Sequence, residues 1–138
     1  MRIAGINNAN RMDSNIIFPE LSYKIIGAAF TVFNELGWGF SEKHYQRVLS
    51  KEFDRLNVAY KEEVFIPFTY KSSRAINYFA DFVVEDKILL ELKVVNKLGY
   101  THVRQVLDYL KTAHIKLGIL LYFTSDGVKY RRVLNSSI

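Results

Sequence analysis

Between residues 58 and 95 the apolar side chains recur at about every second position, whereas before and after this stretch they recur at every third and fourth. A strand buries alternate residues and a helix buries a stripe, so this change of period calls for a sheet with helices packed on it. In the first helical stretch Leu21, Ile25, Ala29, Val32, Phe33 and Leu36 form the stripe, which stops at Gly37-Trp38-Gly39. A second helix follows Ser41, a suitable N-cap, turns Tyr45, Val48, Leu49, Phe53 and Leu56 inward and ends near Asn57. Residues 58–70 read as a strand or two short ones, with Pro67 assigning part of it to a sheet edge. Lys71-Ser72-Ser73-Arg74 reads as a turn, and residues 76–84 and 88–95 as two more strands. Thr101 can cap a third helix with Val103, Val106, Leu107, Leu110 and Ala113 on one face, and residues 117–123 and 128–134 are strands around Ser125-Asp126-Gly127. The expected order is ααβββαββ, a single α/β (α+β) domain over residues 21–135 behind a flexible N-terminal arm over residues 1–20.

Composition narrows the function classes. With 138 residues, 49% hydrophobic and 24% charged, the chain suits one core and excludes a disordered polymer. Having no cysteine, it has no disulfide framework and no thiolate-bound zinc, which fits a reducing cytoplasm. Its apolar runs fall far short of the roughly 20 residues that span a bilayer, so no membrane partner is expected. The net charge of +5 is uneven: residues 1–96 carry twelve Lys/Arg and twelve Asp/Glu, and residues 97–138 carry seven against two. The basic residues there include Lys97, Arg104, Lys111, Lys129, Arg131 and Arg132. Clustered positive charge suits nucleic acid, because each neutralised phosphate releases counterions. A solvated basic face would have the same composition.

The central hairpin carries the chemistry. If its loop held two residues, Asp81 would face Leu90 and both faces would mix polar with apolar residues. A three-residue loop at Glu85-Asp86-Lys87 puts Asp81 opposite Glu91 and keeps Tyr78, Phe82, Leu90 and Leu92 together on an apolar face. Burial selects the three-residue loop, with the two carboxylates about 4.5–5.5 Å apart at Cβ and Lys93 two residues along on their face. Opposed carboxylates repel unless a cation lies between them. Lys93 could be that cation; equally, two hard oxygen donors suit Mg²⁺ or Mn²⁺, which keep waters for a phosphate to replace. Glu91-x-Lys93 alone says little, since Glu-x-Lys arises by chance in roughly one chain in two of this length.

Two helical features accompany the hairpin. Glu42 shares a helix face with Tyr45, Gln46 and Leu49, which places a carboxylate at the edge of the inward stripe; an acid complementing the helix dipole would sit there too. Gln105 and Tyr109 lie one turn apart beside the apolar face of the third helix, and His102 one turn earlier. His44, His102 and His114 share no metal-ligand spacing.

Gly39-x-x-Glu42-x-x-Tyr45, then Asp81 with Glu91-x-Lys93, then Gln105-x-x-x-Tyr109 follow in that order. Here the chain resembles the GxxExxY family of the PD-(D/E)XK nuclease-like superfamily, from about Glu20 to Val133, with Ala80 in place of the proline of the superfamily name. The resemblance implies a PD-(D/E)XK nuclease-like fold, a central mixed sheet flanked by helices. It implies that Asp81, Glu91 and the backbone carbonyl of Leu92 bind Mg²⁺ or Mn²⁺, and that Lys93 orients the attacking water and stabilises charge on the phosphate. Glu42 matches an acid that assists metal or water, and Gln105 and Tyr109 match a motif near the substrate phosphates. The expected activity is metal-dependent hydrolysis of nucleic-acid phosphodiester bonds, DNA ahead of RNA, with Lys97, Arg104, Lys111, Lys129, Arg131 and Arg132 holding the substrate. A homodimer or a partner protein would suit so small a chain. The alternative is a catalytically inactive nucleic-acid-binding or protein-interaction module on the same fold.

Overall fold

The computed structural model of the protein describes residues 17–70, 73–97 and 99–138. Two helices come first, α1 (Pro19–Leu36) and α2 (Glu42–Arg55), followed by the strands β1 (Tyr60–Tyr70), β2 (Ser73–Val84) and β3 (Ile88–Val94). After these come α3 (Tyr100–Ala113), β4 (Leu117–Thr124) and β5 (Gly127–Leu134), which is the order expected from the periodicity. The five strands form one sheet in sequence order, antiparallel except for β3 and β4. That parallel pair needs a long crossover, and α3 supplies it. No helix among the described residues is long and apolar enough to cross a membrane.

Local chemistry explains the boundaries. Pro19 opens α1, where its missing N–H costs nothing, and Gly37, at φ 75°, closes it by donating to the carbonyl of Phe33. The Ser41 hydroxyl accepts from the amide of His44 at 3.1 Å, as an N-cap should. Thr101 does not cap α3: Gly99 holds that position without a side-chain bond, and Thr101 lies within the first turn. The turn expected over residues 71–74 is shorter, because Ser73 already pairs with Tyr70; residues 71 and 72 lie outside the described residues. Of the expected arm, residues 1–16 also lie outside them. Ile17, however, is buried in the core and its carbonyl accepts from Arg132, so the folded unit starts before residue 21.

Two apolar layers sandwich the sheet. On one side α1 and α2 bring Ile25, Val32, Tyr45, Leu49 and Phe53 onto Phe82, Val84, Leu90, Leu92, Ile119 and Phe123. On the other, α3 brings Val106, Tyr109 and Leu110 onto Ala80, Leu89, Leu120 and Val133. A Cβ on Gly118 of β4 would come within 2.8 Å of Val106 and 3.2 Å of Leu110, so this glycine lets α3 lie close on the sheet.

Besides the register shift between Phe68 and Thr69, strict alternation fails at Glu63 and Asp81. Tyr78 and Ala80 have the parity of Phe82 yet pack on the α3 side, which corrects the expectation that Tyr78 shares a face with Phe82, Leu90 and Leu92. The partner strand does the same, with Tyr60 on the α1–α2 side and Val64 and Ile66 on the α3 side. Between them Glu63 takes a left-handed conformation, φ 52°, and the β1–β2 ladder skips Glu63 and Asp81. A single residue at positive φ reorients the strand locally, and both strands exchange faces there.

Candidate active site

The site lies where the sheet is interrupted. From the Glu85-Asp86-Lys87 loop, β2 and β3 pair normally through Val84 with Ile88, Val83 with Leu89 and Phe82 with Leu90. This register is that of the three-residue loop, and its continuation puts Asp81 opposite Glu91. The ladder ends there. The Asp81 amide donates to Glu91 Oε1 at 3.0 Å, and the Leu92 amide donates to Asp81 Oδ2 at 2.8 Å. Each carboxyl thus takes the place of a backbone carbonyl on the opposite strand, which keeps buried amides satisfied.

Glu91 is 6% exposed and Asp81 is half-buried. Burial, followed by the negative charges of Glu42 and Glu63, pushes the Asp81 carboxyl up to about 6, with the Leu92 amide and Lys93 pulling the other way. Burial and then the charge of Asp81 push Glu91 up to about 8. Lys93 is half-buried and its charge acts on both, but no ion pair within 4.0 Å joins it to either among the described residues. Among the described residues the pair therefore has no ion-pair partner.

Other expected residues are brought in to different degrees. Glu42, at the start of α2, reaches across to β3, where its Oε2 accepts from the amide of Val94 at 3.2 Å. Its charge acts on both Asp81 and Glu91. Tyr109 is buried on α3, its ring 5.1 Å from that of Tyr78. Burial first, then the charges of Glu91 and Asp81, raise its pKa, so it remains an un-ionised hydroxyl at neutral pH. Gln105 is half-buried one turn earlier on α3, and no hydrogen bond joins it to the carboxylates among the described residues. The Leu92 side chain is in the α1–α2 core, and its amide serves Asp81.

The basic residues divide between the two faces. On β5, Lys129 pairs with Tyr122 and Arg131 with Leu120, and both line a cleft beside α3. Lys97 lines the same cleft. Arg132 lies on the α1 side, donating to Ile17. Arg104 and Lys111 are exposed on α3.

Sequence reasoning missed Glu63. It is held by Lys43 Nζ at 2.8 Å and Gln46 Nε2 at 2.8 Å, both from α2, and stands across from Asp81 where β1 kinks. The only sequence sign was that Gln46 and Glu42 share a helix face; nothing local marks a glutamate for positive φ.

Whether these residues suit a divalent ion is decided by their chemistry. Among the described residues no three His, Asp or Glu side chains are grouped to hold a metal, so the donor set is two carboxylates and backbone. A small hard cation takes one or two carboxylates and completes its shell with water. Two largely buried carboxyls without a close cation fit that requirement.

No curated protein matches the sequence. Among solved structures, the protein crystallised as SSO0001 is similar at 14% identity and a TM-score of 0.48, over 83% of this chain and 77% of the other. An alkaline exonuclease from Laribacter hongkongensis is similar at 10% identity and a TM-score of 0.49, over 84% of this chain and 83% of the other. A family model matches residues 19–133, which cover both layers of the fold and every residue of the carboxylate site. The chain belongs to the PD-(D/E)XK nuclease superfamily.

Proposed function

We propose that the protein is a metal-dependent nuclease of the GxxExxY type that hydrolyses phosphodiester bonds, with DNA as the first substrate to test. The observation that carries this reading is the pair Asp81 and Glu91, half-buried and buried respectively at the point where β2 and β3 part and, among the described residues, without a cation within ion-pair distance. A nuclease-like role also follows from the family.

Asp81, Glu91 and the Leu92 carbonyl would hold Mg²⁺ or Mn²⁺. When bound, such an ion polarises the phosphate and lowers the pKa of a water. Lys93, on the same face of β3 as Glu91, supports the negative charge that develops on the phosphate oxygens. Glu42, whose charge acts on both carboxyls, would take a proton from the attacking water. The un-ionised Tyr109 hydroxyl and the Gln105 amide are hydrogen-bond donors for flanking phosphates.

The test is incubation of the protein with labelled single- and double-stranded DNA and RNA in Mg²⁺, Mn²⁺ or EDTA. Cleavage that needs the metal is expected, and Lys93→Met should lower its rate by at least about a hundredfold while leaving binding within about threefold. No cleavage under any condition would leave a binding module. Wild-type rates in Lys93→Met would give the charge-stabilising role to another group.

A further inference from the structure

Beside the carboxylates, on the same side of the sheet, is a cleft of about 480 Å³ lined by Asn96, Lys97, Tyr100, Tyr122, Lys129 and Arg131. Its position follows from strand register. Lys93 pairs with Tyr122, which pairs with Lys129, and Glu91 pairs with Leu120, which pairs with Arg131. Leu120 packs under α3, so this face carries Glu91 and Lys93 on β3, Tyr122 on β4, and Lys129 and Arg131 on β5. With strands about 4.8 Å apart, the cleft starts one strand from Lys93.

Three features define what would fit. Lys97, Lys129 and Arg131 are exposed, and among the described residues no carboxylate pairs with them, so three positive charges face a concavity with no internal counter-ion. Tyr100 is 75% exposed at the rim, a large apolar ring left in water where the chain enters α3. The volume lies in the range of small-ligand sites, about 300–1,000 Å³. Phosphate charge explains the cations and a base face explains the ring; a base already stacked in a duplex has no free face to offer.

We propose that this cleft holds an unpaired nucleotide next to the phosphate being cut, making a single strand or an opened end the substrate class. The inference deepens the nuclease reading and rests on it for which strand is meant. Lys97, Lys129 and Arg131 take the phosphates, and Tyr100 stacks on the base.

The full chain is titrated in EDTA with a fluorescein-labelled single-stranded DNA 12-mer and with the blunt duplex of the same sequence, and anisotropy is read. The single strand should bind about tenfold more tightly. Tyr100→Leu, which keeps apolar bulk and loses the ring, should weaken single-strand binding about tenfold and leave the duplex within twofold; Tyr100→Phe should bind like the wild type. Replacing Lys129 and Arg131 together by Gln should flatten the slope of log affinity against log salt by roughly 1.4. Absent single-strand binding, equal affinity for strand and duplex, or a Tyr100→Leu protein indistinguishable from wild type would each overturn the proposal. Binding in EDTA needs no turnover, so a protein that passes this test and never cleaves with metal loses only the nuclease reading. A protein that cleaves without dependence on Tyr100 loses only the cleft.

Discussion

The β2–β3 hairpin has two halves that solve the same backbone problem differently. Near the loop, Phe82, Val83 and Val84 pair with Leu90, Leu89 and Ile88, the strands bond amide to carbonyl, and the side chains are buried. At the next pair, Asp81 and Glu91 satisfy the amides with carboxylates, and among the described residues no cation lies within ion-pair distance of them. The first half should contribute stability and the second should cost some of it. An isolated buried charge is unfavourable until something neutralises it, so the destabilised half is where a cation would bind.

The largest expected effect tests the apolar half. Phe82 is fully buried against Phe53 and Tyr60, and Phe82→Ala should cost about 3–5 kcal/mol in urea unfolding. Asp81→Asn keeps an oxygen to accept from Leu92 and should stay within about 1 kcal/mol of wild type. Equal losses would mean that the two halves do not differ. Next comes the closeness of α3 to β4 at Gly118, which pairs with Leu89 of the apolar half. Gly118→Ala should cost about 1–3 kcal/mol by overpacking against Val106, and a neutral result would show that α3 yields easily.

A pH experiment sharpens the contrast from the polar side. Both carboxyls have raised folded-state values, so the folded chain holds their protons more tightly than the unfolded chain does. This contribution is fully present below about pH 4, the unfolded value, and is lost as pH rises toward 8. In EDTA, stability should therefore decline over that interval. Glu91→Gln should flatten the decline and be the more stable protein at pH 8, by on the order of 1–2 kcal/mol. Parallel pH curves for wild type and Glu91→Gln would remove the electrostatic strain from the account.

Much of this was legible in the sequence because it depends on periodicity. The helix stripes, the element order and the three-residue loop follow from which residues must be buried, and that register is what brings Asp81 and Glu91 together. The face exchange at Glu63 and Asp81 was not legible, since alternation carries no sign of one left-handed glutamate clamped by Lys43 and Gln46 from a different element. Gly99 displaced Thr101 as the cap of α3 because capping position depends on the incoming chain as well as on residue type. Arg132 could be grouped with Arg131 only until the sheet was placed: adjacent residues on a strand face opposite ways, and Arg132 is tied to Ile17 across from the cleft.

The central claim is that Asp81 and Glu91 form a cation site, and thermal unfolding with and without Mn²⁺ at pH 8 tests it most directly. A ligand that binds only the folded state at a hundred times its Kd adds about 2.7 kcal/mol, which raises the melting temperature of a domain this size by several degrees. The wild type should show that rise, and Asp81→Asn and Glu91→Gln should lose most of it while remaining folded. Equal rises in all three proteins, or none in the wild type at millimolar Mn²⁺, would contradict the assignment.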